Sequence, residues 1–113
     1  MDKVTAYRQI VQKVLQEYIA IDNRTPDPDV MYYLIADEKN DNYLWMNTGW
    51  KNGRHINKPT VHVRIQNEKI WIEEDHTEAG IADDLLAAGV SKEDIVLAFH
   101  PPNMRQYTEF AAA

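Results

Sequence analysis

Four histidines, His55, His62, His76 and His100, are the residues of this 113-residue chain best suited to proton transfer near neutral pH or to metal ligation. Their spacing supports neither use. No pair lies one helical turn apart as in a His-Glu-x-x-His motif, so a metal would require the four to converge from separate elements. His62 reads instead as a part-exposed strand residue facing Glu73, and His100 as a strand-end ring bonded to nearby backbone. The run Glu73-Glu74-Asp75 supplies adjacent carboxylates of the kind a glycosidase or a magnesium-dependent nuclease needs. Neighbours on a strand point to opposite faces, so Glu73 and Glu74 cannot serve one atom while the strand continues. Their negative charge suits the start of a helix just beyond them. A restriction-like nuclease would show an acid with lysine two positions later. No glutamate has that neighbour, and Asp37 before Lys39 falls in a polar turn. Gly49 and Gly53 lack the strand-to-helix context of a phosphate loop. With no cysteine, thiolate nucleophiles, thiolate zinc sites and thiolate-held iron–sulfur clusters are excluded. No acid, base and nucleophile set can be assembled, so the expectation is a non-enzyme with no catalytic, cofactor or metal site.

What remains is a surface. Arg64 is expected to stack on Trp71 and, with Trp50, Lys51 and Arg54 nearby in sequence, to offer stacking and positive charge to single-stranded nucleic acid; the simpler readings are that Arg64 and Trp71 shield the outer face of the hairpin or meet a protein partner.

These residues must be positioned by a hairpin. Val61-His62-Val63-Arg64-Ile65-Gln66 alternates apolar and polar, and Lys69-Ile70-Trp71-Ile72-Glu73 resumes the alternation after Asn67-Glu68. Pairing across those two loop residues sets Val63 against Ile72, Ile65 against Ile70, Arg64 against Trp71 and His62 against Glu73. Thr77 is then expected to cap a helix carrying Ile81, Leu85 and Leu86 that Gly89 ends. Ser91 caps a brief helical turn, and Ile95–Phe99 returns to the sheet as a buried strand.

Earlier in the chain, Val4, Tyr7, Ile10, Val11, Val14, Leu15 and Tyr18 recur at three- and four-residue steps, an amphipathic helix over Asp2–Ile21. Asp22–Asp29, with Pro26 and Pro28, is a loop. Val30–Ile35 and Tyr43–Met46 form a second hairpin whose strands are apolar at nearly every position, which predicts burial on both faces or a homodimer contact. Thr48–Pro59 reads as a connecting loop with some strand at its start. The expectation is one α+β domain over residues 1–113: an N-terminal helix, a largely antiparallel sheet from two hairpins, a second helix and a final strand. Its core should include Val14, Ile35, Val63, Ile65, Ile70, Ile72, Leu85, Val96 and Leu97.

The net charge of −6 disfavours duplex DNA as a direct ligand without forbidding it. The first residues lack a signal-peptide layout and no apolar run reaches membrane-spanning length, so a soluble cytoplasmic protein is expected.

The blocks Lys69-Ile70-Trp71-Ile72, Thr77-Glu78 followed by Gly80-Ile81-Ala82, Asp94–Pro102 and Arg105-Gln106-Tyr107-Thr108, with Gly49-Trp50, Arg54 and His62, resemble the XisI family, the fdxN element excision controlling factors of cyanobacteria. Two positions depart from that pattern. Glu68 stands where many members have glycine, which predicts a longer or bulged hairpin turn, and His76 replaces a small residue. The resemblance implies an accessory role in excision of a DNA element, beside a recombinase of the XisF type and an XisH-like partner protein. It carries over no catalytic residue. The candidate interaction surface comprises Trp50, Arg54, His62, Arg64, Trp71, His100 and Arg105.

Overall fold

In a computed structural model that describes residues 2–24 and 27–113, a long helix lies across one face of a five-stranded sheet. The part of the Asp22–Asp29 loop formed by Thr25 and Pro26 lies outside the described residues. Helix α1 spans Lys3–Asp22, and Asp2 caps it by accepting from the Thr5 N–H at 2.8 Å and the Thr5 hydroxyl at 3.0 Å. Its inner stripe is Tyr7, Val11, Val14, Leu15 and Ile19, all buried.

Strands β1 (Val30–Asp37), β2 (Asn42–Lys51), β3 (Arg54–Gln66) and β4 (Lys69–Asp75) form an antiparallel meander in chain order. The short β5 (Ile95–Leu97) joins β4 in parallel after a crossover through α2 (Ala82–Ala87) and a 3₁₀ turn at Lys92–Asp94. The expected pairs Val63 with Ile72, Ile65 with Ile70 and Arg64 with Trp71 are present. Asn67 and Glu68 make a tight turn, both with positive φ (54° and 62°), so the longer or bulged loop expected from Glu68 is not formed.

The Thr48–Pro59 segment is not a connecting loop. It is a second tight hairpin turning at Asn52-Gly53 (φ 52° and 74°), with β2 running on to Lys51 and β3 beginning at Arg54. Asparagine and glycine both tolerate the left-handed region, which is why the chain reverses there. Pro59 sits inside β3 beside a bulge, where Trp45 opposes Val61 and Met46 opposes Pro59, leaving Thr60 as the extra residue.

Two further expectations fail. Thr77 does not cap α2, which starts at Ala82. The Thr77 hydroxyl and N–H instead donate to Asp75 Oδ1 at 2.6 and 3.0 Å, and Asp75 Oδ2 accepts from the Ile81 N–H at 2.8 Å. Asp75 thus closes the turn itself and takes the orphan donor at the helix entrance. The last strand ends at Leu97, and Phe99 is exposed.

Alternation sorts the sheet into a packed and an open face. Tyr43, Trp45, Val61, Val63, Ile65, Ile70 and Ile72 face α1 in the core. Ile35, expected in the core, is 41% exposed because it opposes Leu44 on the far side, and Leu97 is half-buried.

Two carboxylates anchor α1. Asp41 accepts from Arg8 at 2.7 and 3.1 Å and from the Tyr43 hydroxyl at 2.9 Å. Asp94, buried, accepts from the Tyr7 hydroxyl at 2.5 Å and pairs with Lys3 at 2.9 Å. The Arg8 hydrogen bond holds Asp41 below the ordinary carboxylate value of 3.8. For Asp94, burial alone would push upward, but the Lys3 and Tyr7 hydrogen bonds hold it below 3.8. Each contribution is therefore complete above pH 3.8 and is lost as pH falls below it. Asp41→Asn and Asp94→Asn should each lower stability at neutral pH and flatten its fall in acid. Urea midpoints measured from pH 7 down to the acid limb will show this, and a limb as steep as that of the unaltered chain would refute it.

Candidate interaction surface

The open face of the sheet carries most of the candidate residues. His62, Arg64 and Trp71 lie on its β3–β4 half, and the segment after β5 brings Arg105 to them. That segment turns at Pro101-Pro102, makes a 3₁₀ turn over Pro102–Tyr107 and returns so that Ala111 bridges Val96 beside β5. Arg105 fixes it by donating to the carbonyls of Ala98 at 3.1 Å and His100 at 3.0 Å. The Arg105 guanidinium lies 5.7 Å from the centroid of the Trp71 ring.

The cation over Trp71 is therefore Arg105 and not Arg64. Arg64 opposes Trp71 in the ladder, but its Nε donates to Glu73 Oε2 at 3.0 Å. A bulge explains the exchange. His62 opposes Glu74 rather than Glu73, so Glu73 is the extra residue that reaches Arg64. His62 shares a 2.9 Å hydrogen bond between Nε2 and Asn42 Oδ1.

Trp50 is on the same face at the far end of the β2–β3 hairpin, 60% exposed, with the His55 ring 4.9 Å away. Arg54 opposes Lys51 at the turn, on the other face by alternation, so it stands apart from the Arg64–Trp71–Arg105 group. His100 is exposed, its ring 4.7 Å from Phe99. His76 pairs with Glu74 at 2.9 Å. The four histidine rings thus have four different neighbourhoods. Among the described residues, no three of His, Cys, Asp or Glu come together as a metal would need.

Sequence reasoning did not place Met31, Tyr33, Leu44 and Met46 on this open face. The signal was present but masked, since both faces of β1 are apolar and alternation alone does not say which face α1 covers. A cavity of about 390 Å³ between α1 and α2 is lined by Ile10, Lys13, Tyr18 and Asp84 among others. The Tyr18 hydroxyl donates to Asp84 at 2.5 Å, and that bond with burial raises Tyr18 to about 12. Tyr18 therefore stays protonated at neutral pH and cannot act as a base there.

The model of the family described as XisI protein matches residues 1–112. The chain belongs to the XisI family. A solved XisI-like protein from Anabaena variabilis is 37% identical, with a TM-score of 0.90 over 99% of this chain and 100% of that one. Another structure, the fdxN element excision controlling factor XisI from Anabaena variabilis, is 43% identical, with a TM-score of 0.86 over 99% of this chain and 100% of that one. No curated protein matches the chain. Among the described residues, no helix is long and apolar enough to cross a membrane.

Proposed function

We propose that this XisI-family chain is a non-enzymatic accessory factor in the controlled excision of a DNA element, acting through a protein partner such as an XisH-like protein. The observation that carries this reading is the full-length match, at 43% identity, to an fdxN element excision controlling factor. The surface supports it. Arg64, Trp71 and Arg105 combine aromatic area with cationic groups on the open face of the sheet, the composition that anchors protein interfaces.

Direct nucleic-acid binding is the second reading, favoured by one feature: no Asp or Glu occurs between Tyr43 and Asn67, a stretch holding Lys51, Arg54, Lys58 and Arg64. Those cations do not form one stripe. Lys51, Arg54 and Lys58 alternate onto the face opposite Arg64, and Arg64 is already paired with Glu73. In a host carrying an excisable element, withdrawing this chain should change the excision frequency, while the purified chain with magnesium should leave a DNA substrate intact. Unchanged excision would overturn the role, and cleavage by the purified chain would overturn its non-enzymatic character.

A further inference from the structure

Strand β3 outruns one of its neighbours. β4 stops at Asp75, opposite Val61, and the His76 N–H still reaches the Thr60 carbonyl at 2.8 Å before the chain leaves toward α2. From Pro59 back to Arg54, β3 has β2 on one side and no strand on the other. Main-chain groups on that free edge point outward. The Trp50 N–H donates to the Asp29 carbonyl, away from β3, so its cross-strand neighbour His55 directs its own N–H and C=O away from β2. Asn57, two residues on and opposite Thr48, does the same. Both residues are exposed, and among the described residues neither finds a main-chain partner on the open side.

The side chains beside this edge carry one sign. Arg54 and Lys58 share a face of β3, and Lys51 opposes Arg54 on the same face. All three are exposed. Among the described residues, the lysines and arginines in side-chain ion pairs are Lys3, Arg8, Arg64 and Lys92, and none of these three.

We propose that the edge of β3 from Arg54 to Pro59 takes an extended acidic segment of a partner protein as an added strand in line with β4. Two independent features select this occupant. The outward N–H and C=O of His55 and Asn57 need an acceptor and a donor in turn, which an extended polypeptide supplies at every second residue. A phosphodiester backbone offers acceptors alone. The unpaired cations Lys51, Arg54 and Lys58 then favour carboxylates on the facing side of the added strand. Pro59, which has no N–H to offer, ends the pairing. The inference rests on action through a protein partner and names the chemistry of the segment that partner brings.

A synthetic peptide of alternating glutamate and threonine, added to the purified chain with no other protein present, tests this separately from any role in excision and from retention of an XisH-like protein. Amide hydrogen exchange at His55 and Asn57 should slow when the peptide binds, a change that loose attraction between charges does not produce. Arg54→Glu combined with Lys58→Glu should raise the peptide Kd about tenfold or more. Asn57→Pro removes an outward N–H and leaves the β2 ladder intact, so far-ultraviolet circular dichroism should be unaltered while peptide binding weakens. A peptide of alternating lysine and threonine, and oligothymidylate, should leave both amides exchanging as in the free chain. Three results would overturn the proposal: no binding of the acidic peptide at millimolar concentration, binding that protects neither amide, or protection by oligothymidylate in place of the peptide.

Discussion

Gly49→Ala should destabilise the fold by about 3 kcal/mol, the sum of a forced backbone shift and a lost hydrogen bond. A Cβ at Gly49 would stand 2.0 Å from the Asp29 carbonyl oxygen and 2.8 Å from the Val30 Cα, both backbone atoms that no rotamer change can move. The same carbonyl accepts from the Trp50 N–H at 3.0 Å, and Gly49 opposes Val30 where β1 begins. Making room for one methyl therefore pulls the start of β1 from β2. Gly53→Ala provides the comparison. Its φ is 74°, but a Cβ there meets nothing within 4 Å, so only the left-handed strain applies, about 1 kcal/mol. Urea midpoints of the two variants will separate the causes. Equal losses would mean that the strand is not held against β2 in this way.

The elements legible in the sequence were those whose pattern had one interpretation. The stripe from Tyr7 to Leu15 and the alternation of Val63, Ile65, Ile70 and Ile72 each bury one face, and both were readable, although Ile19 also belongs to the buried stripe. The Asn52-Gly53 turn was present as a strong hairpin signal, yet the polar and basic residues around it resembled loop. What makes them strand is pairing with β2, a tertiary effect that local propensity does not carry. The start of α2 was misread because Thr77 has the right chemistry for a cap. Asp75, two residues earlier, competes successfully for its hydroxyl and N–H.

The candidate surface was legible in residue type and only partly in arrangement. Arg64 and Trp71 were correctly set opposite each other, but a single bulge at Glu73 redirected the Arg64 guanidinium and left the Trp71 ring to Arg105. Bulges leave no firm mark in one sequence, because two acidic residues in a row fit either register. Ile35 failed as a core residue for a related reason: its strand is apolar on both faces, and only the position of α1 decides which face is covered.

The second large effect concerns the partner. Trp71→Ala removes the ring on which Arg105 rests. If the Arg64–Trp71–Arg105 group binds the partner protein, a truncation there should cost about 2 kcal/mol of binding, roughly a thirtyfold loss of affinity. Arg64→Ala should weaken binding as well. Trp50→Ala, at the remote end of the hairpin, should have a smaller effect.

Binding to a purified XisH-like protein, with duplex and single-stranded DNA run in parallel at low and physiological salt, separates action through a protein partner from direct contact with DNA. A protein interface with aromatic anchors changes little over that range, whereas a binder of several phosphates loses affinity steeply. Retention of the XisH-like protein is expected at both salt concentrations, weakened by Trp71→Ala, with no retention of either DNA at physiological salt. Tight DNA binding by this chain alone at physiological salt, with the protein partner not retained, would contradict action through a protein partner.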